Sequence, residues 1–130
     1  MSITVLVVQD QWNLRKLAAL ALQTSGYNVI EAENGEQAIE LLATSHIDLI
    51  LTDWSMPVMN GQEMLETIQR QQKDSDLPVV VLSSLQSSCC SVREKKSLGI
   101  LSWLQKPCRI STLRNTVADI LALKCQSACH

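Results

Sequence analysis

Apolar and polar positions run along this chain in two alternating patterns. Short apolar runs, Thr4–Val8, Leu49–Asp53 and Val79–Ser83, read as strands buried in a parallel sheet. Between them, apolar residues recur at three- and four-residue spacing, which marks amphipathic helices. The first helix is predicted near Trp12–Thr24, with Leu14, Leu17, Ala18, Ala21 and Leu22 facing inward and Gly26 as its C-cap. A shorter, more polar strand at Asn28–Ala32 belongs near a sheet edge. Asn34 caps a second helix, Gln37 completes its capping box, and Ala38, Ile39, Leu41 and Leu42 face in. Asn60 and Glu63 open a third helix with Met64, Leu65 and Ile68 as its inner stripe. Pro78 leads into the fourth strand. Ser91 and Glu94 have capping-box spacing for a fourth helix that Gly99 ends. A fifth strand, Leu101–Gln105, precedes a last helix near Ser111–Leu123, with Leu113, Val117, Ile120 and Leu121 inside.

Five strand–helix units joined by right-handed crossovers give an α/β fold. The expected architecture is a five-stranded parallel sheet, doubly wound and flavodoxin-like, with strand order 2-1-3-4-5. Residues 1–124 form the expected single domain, and 125–130 a C-terminal tail. A closed eight-unit barrel needs a far longer chain.

Composition narrows the function classes. The chain has 130 residues, 46% of them apolar, enough for one core without disulfides. A net charge of −2 argues against a dedicated nucleic-acid surface. No stretch approaches the ~20 apolar residues of a membrane span. The amino terminus lacks the basic lead-in of a signal peptide, so the cytoplasm is the expected compartment. The charge is uneven. Residues 1–72 carry 3 basic and 9 acidic side chains and residues 73–130 carry 8 and 4, which reads as solvated surface or, more sharply, as an acidic cation site in the first part and a more basic contact face in the second. The five cysteines, Cys89, Cys90, Cys108, Cys125 and Cys129, read as incidental thiols. Adjacent Cys89 and Cys90 suit one metal poorly. Cys125-Gln-Ser-Ala-Cys129-His130 is one residue too long for haem attachment.

The chemistry lies at strand ends. Asp10, Asp53, Ser83 and Lys106 all fall at or just past carboxyl ends, which share one edge of a parallel sheet. Two carboxylates ~4 Å apart repel by about 4 kcal/mol at an effective dielectric of 20. Mg²⁺ relieves that repulsion with oxygen ligands while keeping several waters. The Ser55 carbonyl can add another oxygen. Asp53 is then placed to attack phosphorus and form an aspartyl phosphate. Lys106 offers a positive charge to a phosphoryl oxygen, and the Ser83 hydroxyl can donate to another. Singly, each has a plainer reading: Asp10 as a helix cap, Asp53 as a loop acid, Ser83 as a strand-end serine, Lys106 as a surface lysine. Trp103 reads equally as core or switch, and His46 as a loop residue.

Over about residues 3–123 the chain resembles the response-regulator receiver domains of two-component signalling, among them the chemotaxis regulators. The strongest motif is Asp53-Trp54-Ser55-Met56-Pro57-Val58-Met59-Asn60-Gly61. Leu6-Val7-Val8-Gln9-Asp10, Gly26-Tyr27, Asn34-Gly35-Glu36-Gln37-Ala38, Ser83 and Lys106-Pro107 support it. The resemblance implies a phosphoacceptor at Asp53, not a turnover enzyme, with Asp10, Asp53 and the Ser55 carbonyl holding Mg²⁺. It implies a switch through Ser83 and Trp103, a phosphate-pairing Lys106 and a cis peptide before Pro107. The implied partners are a histidine kinase or phosphotransfer protein, and an output protein or domain docking on helix 4, strand 5 and helix 5. Neither nucleic acid nor membrane is expected to bind this domain.

The chain departs from the pattern at four places. Gln9 replaces a second acid, which predicts weaker Mg²⁺ binding. Ile100 stands where alanine is common, and Cys108 where phenylalanine is usual. Leu85 offers no hydrogen bond to an attacking water, which predicts slow loss of the phosphoryl group. Gln9 also motivates a rival reading, a degenerate receiver that binds partners without phosphorylation. An aspartyl-nucleophile phosphohydrolase would want an acid at Ser55, and a flavodoxin-type carrier a glycine-rich loop after the first strand.

Overall fold

The computed structural model describes residues 3–56, 58–71, 77–86 and 90–128, with side chains described as far as Leu123. Strands β1 (Thr4–Val8), β2 (Asn28–Ala32), β3 (Leu49–Thr52), β4 (Val79–Ser83) and β5 (Ile100–Gln105) alternate with five helices. The helices are α1 (Trp12–Thr24), α2 (Gly35–Thr44), α3 (Gly61–Gln71), α4 (Val92–Ser97) and α5 (Ile110–Ala128). The strands form one parallel sheet in the order β2-β1-β3-β4-β5, as expected, with the polar β2 at an edge.

The caps follow the side-chain chemistry with one shift. Asn34 accepts the Gln37 amide N–H, but the Gln37 carboxamide oxygen returns to the Glu33 N–H, one residue before the cap. Asn60 and Glu63 bond reciprocally, at 2.9 and 3.4 Å. Ser91 accepts the Glu94 N–H at the start of α4. Gly26 and Gly99 both follow helix ends at positive φ, where a residue without Cβ is unstrained.

Two cores flank the sheet. One lies under α2, α3 and α4, with Leu6, Val8, Ile50, Trp54, Met64, Leu65, Ile68 and Val81. The other lies under α1 and α5, with Val5, Val7, Leu22, Leu49, Leu51, Leu113 and Val117. The inner faces of α3 and α5 are as predicted.

Helix α1 differs. Leu14 and Leu17 are 37% and 49% exposed, while Arg15, Ala18, Ala19, Ala21 and Leu22 are buried. Arg15 is the cause. Its guanidinium donates to the Gln9 carbonyl at 2.9 Å and to Glu31 on β2 at 3.2 Å. Those bonds turn the helix toward β2 and roll Leu14 and Leu17 toward α5. In α2 only Gly35 and Ala38 are buried, and Ile39, Leu41 and Leu42 pack at the margin of the core. β5 contains a register shift, Val79 facing Ile100 and Val80 facing Ser102. Leu101 is the extra residue, unpaired as in a bulge, and it is exposed. Helix α5 continues past the predicted end at Leu123 to Ala128.

Candidate functional site

Register brings the expected residues together. The Asp53 N–H bonds to the Val8 carbonyl, and the Gln9 N–H to the Ala32 carbonyl, so both residues stand just past paired strand ends. Ser83 pairs with Gln105, and the Lys106 N–H bonds to the Ser83 carbonyl at 2.8 Å. Ser83 and Lys106 therefore occupy the same edge as Asp53.

The Asp53 carboxylate is 8% exposed and fully engaged. Its Oδ1 accepts the Trp54 N–H at 2.7 Å and the Ser55 N–H at 3.3 Å. Its Oδ2 accepts the Lys106 ammonium at 2.7 Å and the Gln9 carboxamide N–H at 3.0 Å. Charge-assisted bonds of this kind are what make a buried anion tolerable. The Gln9 amide is oriented at its other end by the Gln11 N–H, which donates to Oε1 at 3.2 Å.

Gly61 closes the site from below. Its N–H bonds to the Trp54 carbonyl, and a Cβ there would lie 2.6 Å from the Asp53 carbonyl oxygen. Only glycine lets α3 start so close beneath the acid. Val58, in the same loop, takes φ +70°, a strained conformation for a β-branched residue. Pro57 of the motif lies outside the described residues, as do Cys89, Cys129 and His130. Lys106–Pro107 is cis, as the resemblance implied.

Ser83 and Trp103, the expected switch pair, form a second cluster with Leu85. The Ser83 hydroxyl accepts the Leu85 N–H at 3.1 Å. The Trp103 indole N–H donates to the Leu85 carbonyl at 3.0 Å. The Trp103 ring lies 5.1 Å from the Trp54 ring, centroid to centroid, and 5.5 Å from the Lys95 ammonium. Aromatic and cation–π contacts at these separations each contribute about 0.5–1 kcal/mol. Trp54 thus links the Asp53 backbone to Trp103.

Asp10 is half-buried at the same edge, next to Gln9. Among the described residues no group of three or more His, Cys, Asp or Glu converges on one point. Two carboxylates and a carbonyl nonetheless fit Mg²⁺, which takes one or two carboxylates and keeps its waters. Sequence reasoning treated Gln9 only as a lost charge. The bond from its amide to Asp53 depends on rotamer and register, and no motif announces it. Arg15 was missed altogether. Its only signal was a charged residue beside the apolar face of a helical wheel, and its partner Glu31 lies sixteen positions away in sequence.

The model for the response regulator receiver domain family matches residues 5–118. Sporulation initiation phosphotransferase F of Bacillus subtilis is 31% identical over 92% of this chain and 94% of its own length. The phosphate regulon transcriptional regulatory protein of Pseudomonas aeruginosa is 36% identical over 62% of this chain, a match spanning 35% of that longer protein. Among solved structures, chemotaxis protein CheY4 of Vibrio cholerae has a TM-score of 0.83 and 30% identity, covering 92% of this chain and 98% of that one. A Thermotoga maritima response regulator, TrrA, solved in complex with Mg²⁺-BeF, has a TM-score of 0.77 and 28% identity over 90% and 97%.

Proposed function

The chain belongs to the response regulator receiver domain family, and from that premise we propose that Asp53 accepts a phosphoryl group from a histidine kinase or phosphotransfer protein. Receiver domains are signalling domains, and residues 1–124 are the unit proposed to act here. The observation that carries the reading is the convergence of Lys106 Nζ and two backbone N–H groups on one buried aspartyl carboxylate.

In the transfer, an Asp53 oxygen attacks phosphorus as the P–N bond to the donor imidazole breaks, and the imidazole leaves with the electron pair. The backbone N–H groups of Trp54 and Ser55 keep the carboxylate oriented while this happens. The Lys106 ammonium and the Gln9 amide are on side chains, so both can turn to follow charge onto the phosphoryl oxygens. Mg²⁺, held by Asp10, Asp53 and the Ser55 carbonyl, would neutralise carboxylate and phosphoryl charge. The Ser83 hydroxyl then reaches for the new group and alters its hold on Leu85, and Trp103 responds through the same residue. Output passes to a partner through α4, β5 and α5. The chemistry is self-catalysed and does not turn over.

Incubation with a small phosphodonor and Mg²⁺ tests this. An acid-stable, base-labile label on the wild type that is lost in Asp53→Asn is expected. An unlabelled wild type, or equal labelling of the variant, overturns it. Leu85 supports slow hydrolysis of that label, and loss within seconds in Mg²⁺ contradicts it. The Gln9–Asp53 bond favours a second reading, phosphorylation-independent partner binding. Trp54 fluorescence that stays unchanged through millimolar Mg²⁺ would select it.

A further inference from the structure

The cleft between α1 and α5 does not close. A cavity of about 100 Å³ lies there, walled by Leu14, Leu17 and Ala18 of α1 and by Ile110 and Leu113 of α5. Cys108 lines the turn between β5 and α5. The floor is Val7 and Leu51, at most 2% exposed, so the void reaches the sheet and is no surface dimple. The rolled helix explains it. Arg15 draws α1 toward β2, three alanines face the sheet, and the leucines that would fill the space line its mouth instead.

The cavity has one polar end, made by Gln9, Asp53 and Lys106. Those groups satisfy each other, since the Gln9 amide and the Lys106 ammonium both bond to Asp53 Oδ2. Among the described residues no buried side-chain nitrogen or oxygen lacks a partner. A charged guest would have to break these bonds, whereas an apolar guest breaks none. Size sets the other limit. An enclosed apolar cavity of about 150 Å³ takes benzene; this one is smaller, about 100 Å³, but open at its mouth, so a single ring is the largest guest it admits. Trp54 and Trp103 pack beneath the opposite face of the sheet, and neither Trp12 nor Tyr27 lines the cavity, although Tyr27 packs against the same core, so no ring of the chain fills the space.

We propose that the α1–α5 cavity is a binding site for a neutral, apolar molecule of single-ring size, taken up free from solution. The site is independent of the phosphoacceptor reading, and its failure would leave that reading intact. Benzene is the probe, added to the full chain. At ten times its Kd the melting temperature rises by about 5 °C. Maleimide labelling of Cys108, a free thiol on the cavity wall, slows several-fold when followed on its own peptide by mass spectrometry. Burial pushes the Cys108 thiol pKa up, so labelling is run at about pH 8.5. Cys108→Phe, which fills the cavity, abolishes the thermal shift. If circular dichroism shows that variant unfolded, Leu17→Phe from the exposed rim replaces it. Three results overturn the proposal: no thermal shift near benzene saturation, a shift without protection of Cys108, or an equal shift in the filled variant.

Discussion

The two faces of the sheet are built from different stock. Beneath α2, α3 and α4 the core is bulky, with Trp54, Met56, Met64, Leu65 and Ile68, and Trp103 closing its margin. Beneath α1 and α5 the buried residues are all aliphatic, with Leu22, Leu49, Leu51, Leu113 and Val117, and they leave a void. A close-packed interior transmits displacement because its atoms have nowhere to go. A voided one absorbs displacement. Asp53 stands on the seam. Its neighbour Trp54 reaches into the filled face, while its carboxylate and Lys106 line the void. On the proposed function, a change at Asp53 is therefore expected to pass toward Trp103 and α4 and not toward α1.

The contrast is sharpest in the cost of truncation. Met64→Ala, at a side chain with no exposure, should destabilise by about 3–5 kcal/mol in urea titration. Leu113→Ala borders the void and has fewer neighbours to lose, so about 2 kcal/mol is expected. Equal costs would break the comparison. At the seam, Gln9→Asp replaces a hydrogen-bond donor with a second acid beside Asp53. It should lower stability by about 2 kcal/mol in chelator and regain it with Mg²⁺, read as the difference between two melting curves. Trp103→Phe keeps a ring but removes the donor to the Leu85 carbonyl, for a loss of about 1 kcal/mol and a shift in Trp54 emission. The smallest effect belongs to the voided face. Arg114 donates to the Ser25 hydroxyl at an exposed site joining α5 to the end of α1, and Arg114→Ala should change stability by about 0.5 kcal/mol or less.

Much of this molecule was legible in its sequence because the relevant signals are local. The strands β1, β3 and β4 are short apolar runs, and each of three helix starts carries a capping side chain three residues from its partner. The meeting of Asp53 and Lys106 was legible too, since parallel strands must present their carboxyl ends together. What escaped was rotational. A helical wheel offers an apolar face but does not say how a neighbour turns it, and Arg15 turned α1 away from Leu14 and Leu17. Leu101 escaped similarly, because a bulge is a property of two strands and not of one. The Gln9 amide was visible as a residue but not as a bond.

Leu85 is held at both ends of one residue, its N–H by Ser83 and its carbonyl by Trp103. On the proposed function, any change in how Ser83 holds Leu85 acts on the same residue that Trp103 holds, so hydroxyl and indole are coupled across a single residue and need no longer chain of contacts.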